Sequence, residues 1–253
     1  MSISEVEQAA RWSRELEGQD ATSVIRWALA QFGDGLVIGS SFGKDGLVIL
    51  DVTRKLRPDI PVLFLETGYH FPETLEFRDQ LRREWHANIV DVRSELTVPE
   101  QDAAYGFELF ARDPDQCCAM RKVAPLQRAL AGHAAWMTGV RRSQHEGRAQ
   151  TPVVEWQELT AGGGLYKINP LVGWSLPQVE AYLDEHAIPR HPLWAKGYRS
   201  VGCAPCTSPV GAGEGERAGR WRGTGKAECG IHVVGVRRSA PETGPASTEP
   251  VRS

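Results

Sequence analysis

The chain alternates short apolar runs with longer stretches in which apolar residues recur at helical spacing. The segment "GLVIGSSF" is typical of a buried strand, because it is a short apolar run that ends in small residues. The next segment, "KDGLVILDVTRKL", has its leucines at helical spacing. A second strand and a second helix are predicted in "PVLFLET" and "PETLEFRDQLRREW", and this helix begins at a proline.

The same alternation extends along most of the chain. Further strands are predicted in "ANIVDV", "AAWMTGV" and "LYKINPL". Further helices are predicted at about 3–17, at about 20–32 and in "SLPQVEAYLDEH". Strands that alternate with helices predict an α/β fold with a mainly parallel sheet and helices on both faces.

Three polar loops follow predicted strands, and ligands of such sheets bind beyond the carboxyl ends of the strands. The first loop, "GSSFGKDG", has small residues that let backbone N–H groups approach an anion at a helix N-terminus. It is not a Walker A loop, because Gly39 and Gly43 are too close together and Asp45 replaces the magnesium-binding Ser/Thr. We therefore expect binding of a nucleotide phosphate or sulfate without P-loop hydrolysis; a plain strand-to-helix turn is the alternative.

The other two loops are "TGVRRSQHEGR" and "ETGYHFPET". Arginines on a loop are commonly solvated, but Arg141, Arg142 and Arg148 follow a strand at the same predicted edge. Two anion-binding loops on one edge suit a ligand with more than one anionic group. For His70 we favour a histidine that is satisfied within a loop or the core.

Composition narrows the class of protein. The net charge of −3 over 253 residues does not indicate a general nucleic-acid binder. No apolar run is long enough to span a membrane, and the polar N-terminus lacks the apolar core of a signal peptide, which predicts a cytoplasmic protein. We expect one domain over residues 1–232 and, because the remainder is rich in Pro, Ser, Thr and charge, a disordered tail over 233–253.

Five cysteines carry the most specific signal in the chain: Cys117, Cys118, Cys203, Cys206 and Cys229. Four of them form two close pairs and one is alone, which is typical of a metal site plus a reactive thiol. The lone cysteine lies in "KAECGIH", among charges and glycine, which is a poor position for a core residue. A thiolate is the nucleophilic form, and positive charge on Lys226 or His232 would favour it, whereas Glu228 would oppose it.

The two pairs allow more than one ligand. A zinc site normally uses C-x-x-C at both ends, but here one half is a tandem Cys-Cys pair. Adjacent side chains on a helix point about 100° apart, so a cubane that offers separate irons to separate thiolates suits them better. "GCAPC" also has the spacing of a thioredoxin-type dithiol, although it lies late in the chain without a βαβ unit around it.

Together these motifs resemble the iron–sulfur branch of the assimilatory adenylyl-sulfate and phosphoadenylyl-sulfate reductases. The resemblance covers nearly all of residues 30–232, with the motifs in the family's order. It rests on "SSFGKDG", "ETGYHFPETL", "CCAMRK", "TGVRR", "NPL", "GCAPC", "GRW" and "KAECGIH". It implies an adenine-nucleotide-hydrolase-like fold with a flexible catalytic C-terminal arm over about 211–232.

The resemblance also implies site residues. The [4Fe–4S] ligands would be Cys117, Cys118, Cys203 and Cys206, and the nucleophile would be Cys229. Lys122 matches a lysine that links the electrostatics of cluster and substrate. The predicted substrate-binding residues are Ser41, Gly43, Lys122, Gly139, Arg141, Arg148, Arg217, Arg220 and His232. One departure is Lys44-Asp45 in the phosphate loop, where the family often has an acidic pair or small residues.

The implied activity is reduction of adenylyl sulfate to sulfite and AMP, with thioredoxin as the electron donor. Activity on the 3′-phosphorylated substrate, alone or in addition, is the alternative, and Lys44 is a candidate ligand for that extra phosphate. A tRNA thiolase with a related core would need an SGGxDS-type loop and an RNA-binding module, and neither is evident. A non-catalytic iron–sulfur sensor would need no nucleotide loop. No nucleic-acid or membrane partner is expected, and a homo-oligomer is compatible with the sequence.

Overall fold

The computed structural model describes residues 4–232 and 235–237. Within this part, nine α-helices are present. They are α1 (Glu5–Leu16), α2 (Ala21–Phe32), α3 (Lys44–Leu56), α4 (Pro72–Glu84), α5 (Val98–Tyr105), α6 (Leu109–Arg112), α7 (Pro114–Cys118), α8 (Ala124–Leu130) and α9 (Leu176–Glu185). Side chains of Ser4, Asp20, Thr97 and Ser175 cap the first turns of four of these helices, which explains where they begin.

The strands of the described part form one seven-stranded sheet. They are β1 (Leu36–Gly39), β2 (Val62–Glu66), β3 (Ile89–Arg93), β4 (Ala135–Met137), β5 (Val154–Glu158), β6 (Gly164–Ile168) and β7 (Val236–Arg237). The spatial order is β3-β2-β1-β4-β6-β5-β7, and the first five strands in this order are parallel. The predicted α/β fold with a mainly parallel sheet is therefore confirmed.

The side chains of β1 alternate between two hydrophobic cores, as a strand buried on both faces requires. Leu36 and Ile38 belong to the larger core, which also receives the apolar sides of α1, α2, α3, α4 and α9. Val37 faces the smaller core beside Leu126 and Leu130 of α8. Helices thus cover both faces of the sheet, as predicted.

The chain reverses its direction across the sheet between β1 and β4. From β1 it proceeds to β2 and then β3 on one side, and it returns to β4 on the other side of β1. The loops that follow β1 and β4 diverge there, which opens a crevice at the carboxyl ends of the strands. The two loops approach closely: a Cβ at Gly139 would lie 2.8 Å from Cβ of Asp45 and 3.0 Å from N of Gly46. A larger residue at Gly139 would close the crevice.

The antiparallel edge of the sheet departs from the prediction. β5 was not predicted, and it pairs antiparallel with β6 and β7. Its buried face carries Glu155, which obscures the apolar pattern of a strand. Glu155 lies opposite Lys167 in β6, and Nζ of Lys167 donates to Oε1 of Glu155 at 2.6 Å. This ion pair takes a place that apolar side chains usually fill in a buried sheet. The sequence does not show it, because the two residues meet only when β5 pairs with β6.

Two further predictions concern the C-terminus and membranes. Val236 and Arg237 form β7, so the predicted disorder does not hold for these two residues, and the rest of the tail lies outside the described residues. The described helices include none with the length and apolar character needed to cross a bilayer.

Candidate active site

The loop after β1 leaves the first turn of α3 open to a ligand. Gly43 is the N-cap residue of α3, and no described side chain caps the backbone N–H groups of that turn. Ser40 Oγ instead accepts from the N–H of Phe42 at 3.0 Å and stabilises the loop itself. Phe42 adopts a left-handed φ of 57° and is held by stacking on Phe64, with ring centroids 5.3 Å apart. The free N–H groups at this helix N-terminus suit an anion.

One cavity extends from this loop along the carboxyl edge of the sheet. Most of the residues predicted to bind substrate line it together with the proposed nucleophile. These are Ser41, Gly43, Lys122, Gly139, Arg148, Arg217, Arg220, Cys229 and His232. Thr67 and His70, from the loop after β2, also line the cavity. The three loops predicted to share one edge therefore meet at one site.

Arg141 is the exception among the predicted substrate ligands. It is fully buried and does not line the cavity. Its guanidinium pairs with Asp45 and Ser143 and donates to both carboxylate oxygens of Glu216 at 2.8 and 2.9 Å. The structure thus places Arg141 behind the cavity wall, where it joins the phosphate loop to the C-terminal arm. Its predicted role as a direct ligand is not supported by this placement.

Two cations deep in the cavity, Lys122 and Arg220, have no carboxylate partner in the described part of the chain. Lys122 is only 8% exposed. It lies in the π-helical turn Ala119–Val123 that joins α7 to α8, directly after the tandem cysteines. Burial lowers the pKa of Arg220, and the charge of Arg217 adds to this effect. Arg220 contacts the ring of Trp221, 4.5 Å from its centroid. Buried cations without a carboxylate partner suit an anionic ligand.

Arg148 and Arg217, which also line the cavity, are held by the arm itself. Glu228, next to Cys229, accepts hydrogen bonds from Arg148 and Arg217. Sequence reasoning treated Glu228 only as a charge opposing the thiolate and missed these contacts. The sequence could not show this pairing, because about eighty residues separate Glu228 from Arg148.

The two cations that the sequence suggested for Cys229 have other surroundings in the structure. Lys226 pairs with Asp115 at the start of α7. Burial lowers the pKa of His232 well below its usual value, and the charges of Arg148 and Lys167 act in the same direction. His232 is therefore a neutral ring at neutral pH, stacked on Trp136 with 5.9 Å between centroids. Lys122, Arg148 and Arg220 lie close enough to Cys229 for their charges to interact with it.

His70 is only partly satisfied, in contrast to the interpretation favoured from the sequence. Its Nε2 lies 2.8 Å from the carbonyl oxygen of Leu65, and its ring stacks on Phe64. Nδ1 is buried without a partner in the described residues, and the ring lines the cavity. Burial lowers the pKa of His70, so the imidazole is neutral and Nδ1 is an acceptor.

The four remaining cysteines lie together beside the cavity. Cys117, Cys118, Cys203 and Cys206 line a small adjoining pocket, which Lys122 and Cys203 share with the main cavity. Burial and the neighbouring thiols raise the pKa of Cys117 to about 12. Burial also raises the pKa of Cys118 to about 11. These groups would form thiolates only beside a strongly cationic partner.

The donor set of this pocket bears on which metal group it suits. In the described part of the chain, no three Cys, His, Asp or Glu side chains converge on a single-ion site. Four thiols in one pocket are the donor set that an iron–sulfur cluster takes. Arg121 lines the pocket with Nε and one Nη buried and without a partner in the described residues. These free donors suit the anionic charge of a thiolate-ligated cluster.

Comparison with known proteins agrees with this geometry. The model of the phosphoadenosine phosphosulfate reductase domain matches residues 35–209. A protein of Streptomyces coelicolor named adenosine 5′-phosphosulfate reductase is 47% identical over 224 residues, which cover 88% of this chain and 93% of that protein.

Solved structures extend the comparison to the fold. The phosphoadenylyl-sulfate reductase of Candida auris, solved as a phosphate complex, is similar with a TM-score of 0.69 and 31% identity, covering 83% of this chain and 99% of that one. The FMN adenylyltransferase of Candida glabrata, at 14% identity and a TM-score of 0.54, covers 90% of this chain and 78% of that one and shares the fold alone. The chain therefore belongs to the phosphoadenosine phosphosulfate reductase family.

Proposed function

We propose that this protein reduces adenylyl sulfate to sulfite and AMP with a thioredoxin as the electron donor. The observation that carries the proposal is the position of Cys229 in a cavity that is open to a nucleotide and lined by Lys122, Arg148, Arg217 and Arg220. A thiol among several cations suits attack on an anionic sulfur ester. The Streptomyces coelicolor relative, named for this substrate, supports the choice.

The proposed reaction has two stages. In the first, the thiolate of Cys229 attacks the sulfur of adenylyl sulfate, a Cys–S bond forms and the bond from sulfur to the bridging oxygen breaks. AMP leaves with that electron pair, and S-sulfocysteine remains on Cys229. Lys122 and Arg220, which have no carboxylate partner in the described part of the chain, stabilise the negative charge that develops on the bridging and sulfate oxygens.

In the second stage a thioredoxin thiolate attacks Sγ of Cys229, and sulfite leaves with the electron pair of the Cys–sulfite bond. The second thioredoxin thiol then attacks the mixed disulfide, which releases Cys229 and forms the thioredoxin disulfide. The dithiol thus supplies both electrons that reduce the sulfur. Because the reaction requires reduced thiols, we place the protein in a reducing compartment such as the cytoplasm.

We further propose that Cys117, Cys118, Cys203 and Cys206 hold a [4Fe–4S] cluster. The support is their shared pocket and the free donors of Arg121. When bound, the cluster supplies fixed charge and a covalent tie between α7 and the loop that carries Cys203. Lys122 lies between this pocket and the substrate cavity and so links the two charges.

Sulfite release tests the proposal. The protein purified anaerobically should release sulfite from adenylyl sulfate when reduced thioredoxin is present, and AMP should appear in equal amount. Without thioredoxin, the reaction should stop after one turnover, with the sulfo group bound to the protein. Absence of both sulfite and a covalent adduct would refute the reductase function and leave the sensor or thiolase alternatives.

Preference for the unphosphorylated substrate is expected from Lys44 and its partner. Lys44 lines the cavity near Trp194, but its ammonium pairs with Glu180 of α9, which Arg190 also contacts. The charges at this end of the cavity are therefore balanced, and little positive charge is left for a 3′-phosphate. Glu180→Gln should raise kcat/KM for the 3′-phosphorylated substrate, relative to adenylyl sulfate, by roughly two- to fivefold, as for a partly exposed ion pair.

The control for that experiment is Asp184→Asn. Asp184 pairs with Arg190 but not with Lys44, so the same change of charge nearby should leave the substrate ratio unchanged. In the Glu180→Gln background, Lys44→Ala should restore the original ratio. A ratio that moves equally in Glu180→Gln and Asp184→Asn would show that Lys44 is not a selective ligand.

A further inference from the structure

Glu228 is bound as a ligand anion would be. Its Oε1 accepts from Nε of Arg148 at 2.6 Å and from Nε2 of His145 at 2.7 Å, and Nη2 of Arg148 lies 2.5 Å from the same oxygen. Its Oε2 accepts from Nη2 of Arg217 at 3.2 Å, and the same nitrogen donates to the carbonyl oxygen of Ala227 at 3.1 Å. The side chain of Glu228 is only 17% exposed.

These contacts occupy the part of Arg148 that an anion would use. The Nε–Nη2 edge of a guanidinium is one of its two bidentate edges, and here Nε donates to Oε1 of Glu228 while Nη2 lies 2.5 Å from the same oxygen. On the other edge, Nη1 pairs with Gln144. A phosphate or sulfate oxygen can therefore take a bidentate position on Arg148 only if Glu228 or Gln144 moves.

Glu228 also positions the reactive residue. It is the immediate neighbour of Cys229, so its ion pairs dock the arm over the cavity. Burial disfavours the ionised carboxylate, but the charges of Arg217 and Arg148 outweigh it and lower the pKa of Glu228. Glu228 is thus ionised at neutral pH, and it provides the arm with one negative charge at the cationic end of the cavity.

We propose that Glu228 is a positioning residue that competes with the phosphate of the nucleotide for Arg148 and Arg217. In the empty protein the carboxylate docks the arm. When the nucleotide binds, its phosphate takes the two guanidinium groups and Glu228 leaves them, which frees the arm to bring Sγ of Cys229 to the sulfur. Because AMP still carries that phosphate after sulfur transfer, it keeps the arm loose while S-sulfocysteine is presented to the dithiol. That the ligand is this nucleotide rests on the proposed function. That an anion must displace Glu228 from Arg148 and Arg217 rests on the contacts alone.

Binding of AMP to Glu228→Gln tests the competition. Since glutamine is isosteric and uncharged, the Kd for AMP measured by calorimetry should fall by roughly three- to tenfold. Adenosine, which has no phosphate, should bind the parent and Glu228→Gln equally. A merely structural role would weaken both ligands. An unchanged or increased Kd for AMP in Glu228→Gln would overturn the proposal.

Glu214→Gln is the matched control. It lies in the same arm and loses the same charge, but its carboxylate contacts Arg222 and the N–H of Gly211 rather than the cavity arginines. Its affinity for AMP should equal that of the parent. If Glu214→Gln tightens AMP binding as much as Glu228→Gln does, the effect is one of net charge and the proposal fails.

The parent protein offers a test without substitution. Alkylation of Cys229 by iodoacetamide, followed by peptide mass spectrometry, should become faster when AMP is added, and it should already be fast in Glu228→Gln. Slower alkylation of the parent with AMP would mean that arm and nucleotide dock together, against the proposal. Neither measurement requires turnover. If the results show that Glu228 and the phosphate of AMP compete, but no sulfite is released, only the reductase function is refuted.

Discussion

Cys229→Ser should abolish sulfite release, by roughly 10³-fold or more, while AMP binds nearly as it does to the parent. A serine hydroxyl remains protonated at neutral pH and is a poor nucleophile without an adjacent base. Removing a nucleophile costs far more than removing a binding contact. The cations of the cavity keep their positions because they contact Glu228 or Trp221 rather than Cys229. Sulfite and AMP are measured with reduced thioredoxin present.

The covalent intermediate is a second measure of the same residue. Intact mass spectrometry of the parent, given adenylyl sulfate without thioredoxin, should show one added SO₃ group. Peptide mapping should place it on Cys229. An adduct on Cys203 or Cys206, or retained turnover in Cys229→Ser, would assign the nucleophile to another residue.

Truncation distinguishes the arm from the rest of the site. A chain that ends at Gly223 keeps the four paired cysteines and the residues Arg217 and Arg220. It should fold and bind AMP but form no adduct and release no sulfite.

The parallel part of the sheet could be predicted because its central strands are buried on both faces. Such strands are short apolar runs, as in β1 and β2, and their helices carry one apolar face. The pattern fails in two places for physical reasons. In β5, Glu155 and Gln157 are buried polar residues whose partners lie on other strands.

The second failure lies between β3 and β4, where α5 to α8 were not predicted. These helices are short, from four to eight residues, so they show little helical periodicity. The π-helical turn between α7 and α8 also shifts the spacing of the apolar residues. The same turn directs Lys122 towards both the cysteine pocket and the cavity, so the irregular segment carries part of the site.

Residue types at the site were easier to predict than their partners. A loop of small residues after a strand, or arginines at the same sheet edge, indicates an anion site because backbone geometry brings these loops together. Pairing is different, since it depends on contacts between distant segments. Asp45 holds Arg141 across 96 positions, and Glu180 holds Lys44 across 136. Nothing in the sequence could show that these two cations were already neutralised.

Cys203→Ser should remove the iron of the protein and lower its unfolding temperature. Purified anaerobically, the parent should be brown and contain about four irons per chain, as a cubane requires. Sγ of Cys203 lies 3.3 Å from Oγ1 of Thr67, and the N–H of Ala204 donates to the carbonyl oxygen of Tyr69 at 2.7 Å, so the loop after β2 is anchored at this cysteine. Loss of the ligand should loosen that loop, because metal binding contributes to the free energy of folding.

The matched control is the fifth cysteine. Cys229→Ser makes the same chemical change outside the cysteine pocket, so it should retain the iron, the visible absorbance and the unfolding temperature of the parent. The two variants should therefore separate: one keeps the cluster but releases no sulfite, and the other loses the cluster together with part of its stability. Stoichiometric zinc without iron in the parent, or full iron content in Cys203→Ser, would contradict a cubane held by these four thiolates. Equal loss of iron in both variants would mean that Cys229 is itself a ligand, and a ligated thiolate is not free to attack adenylyl sulfate.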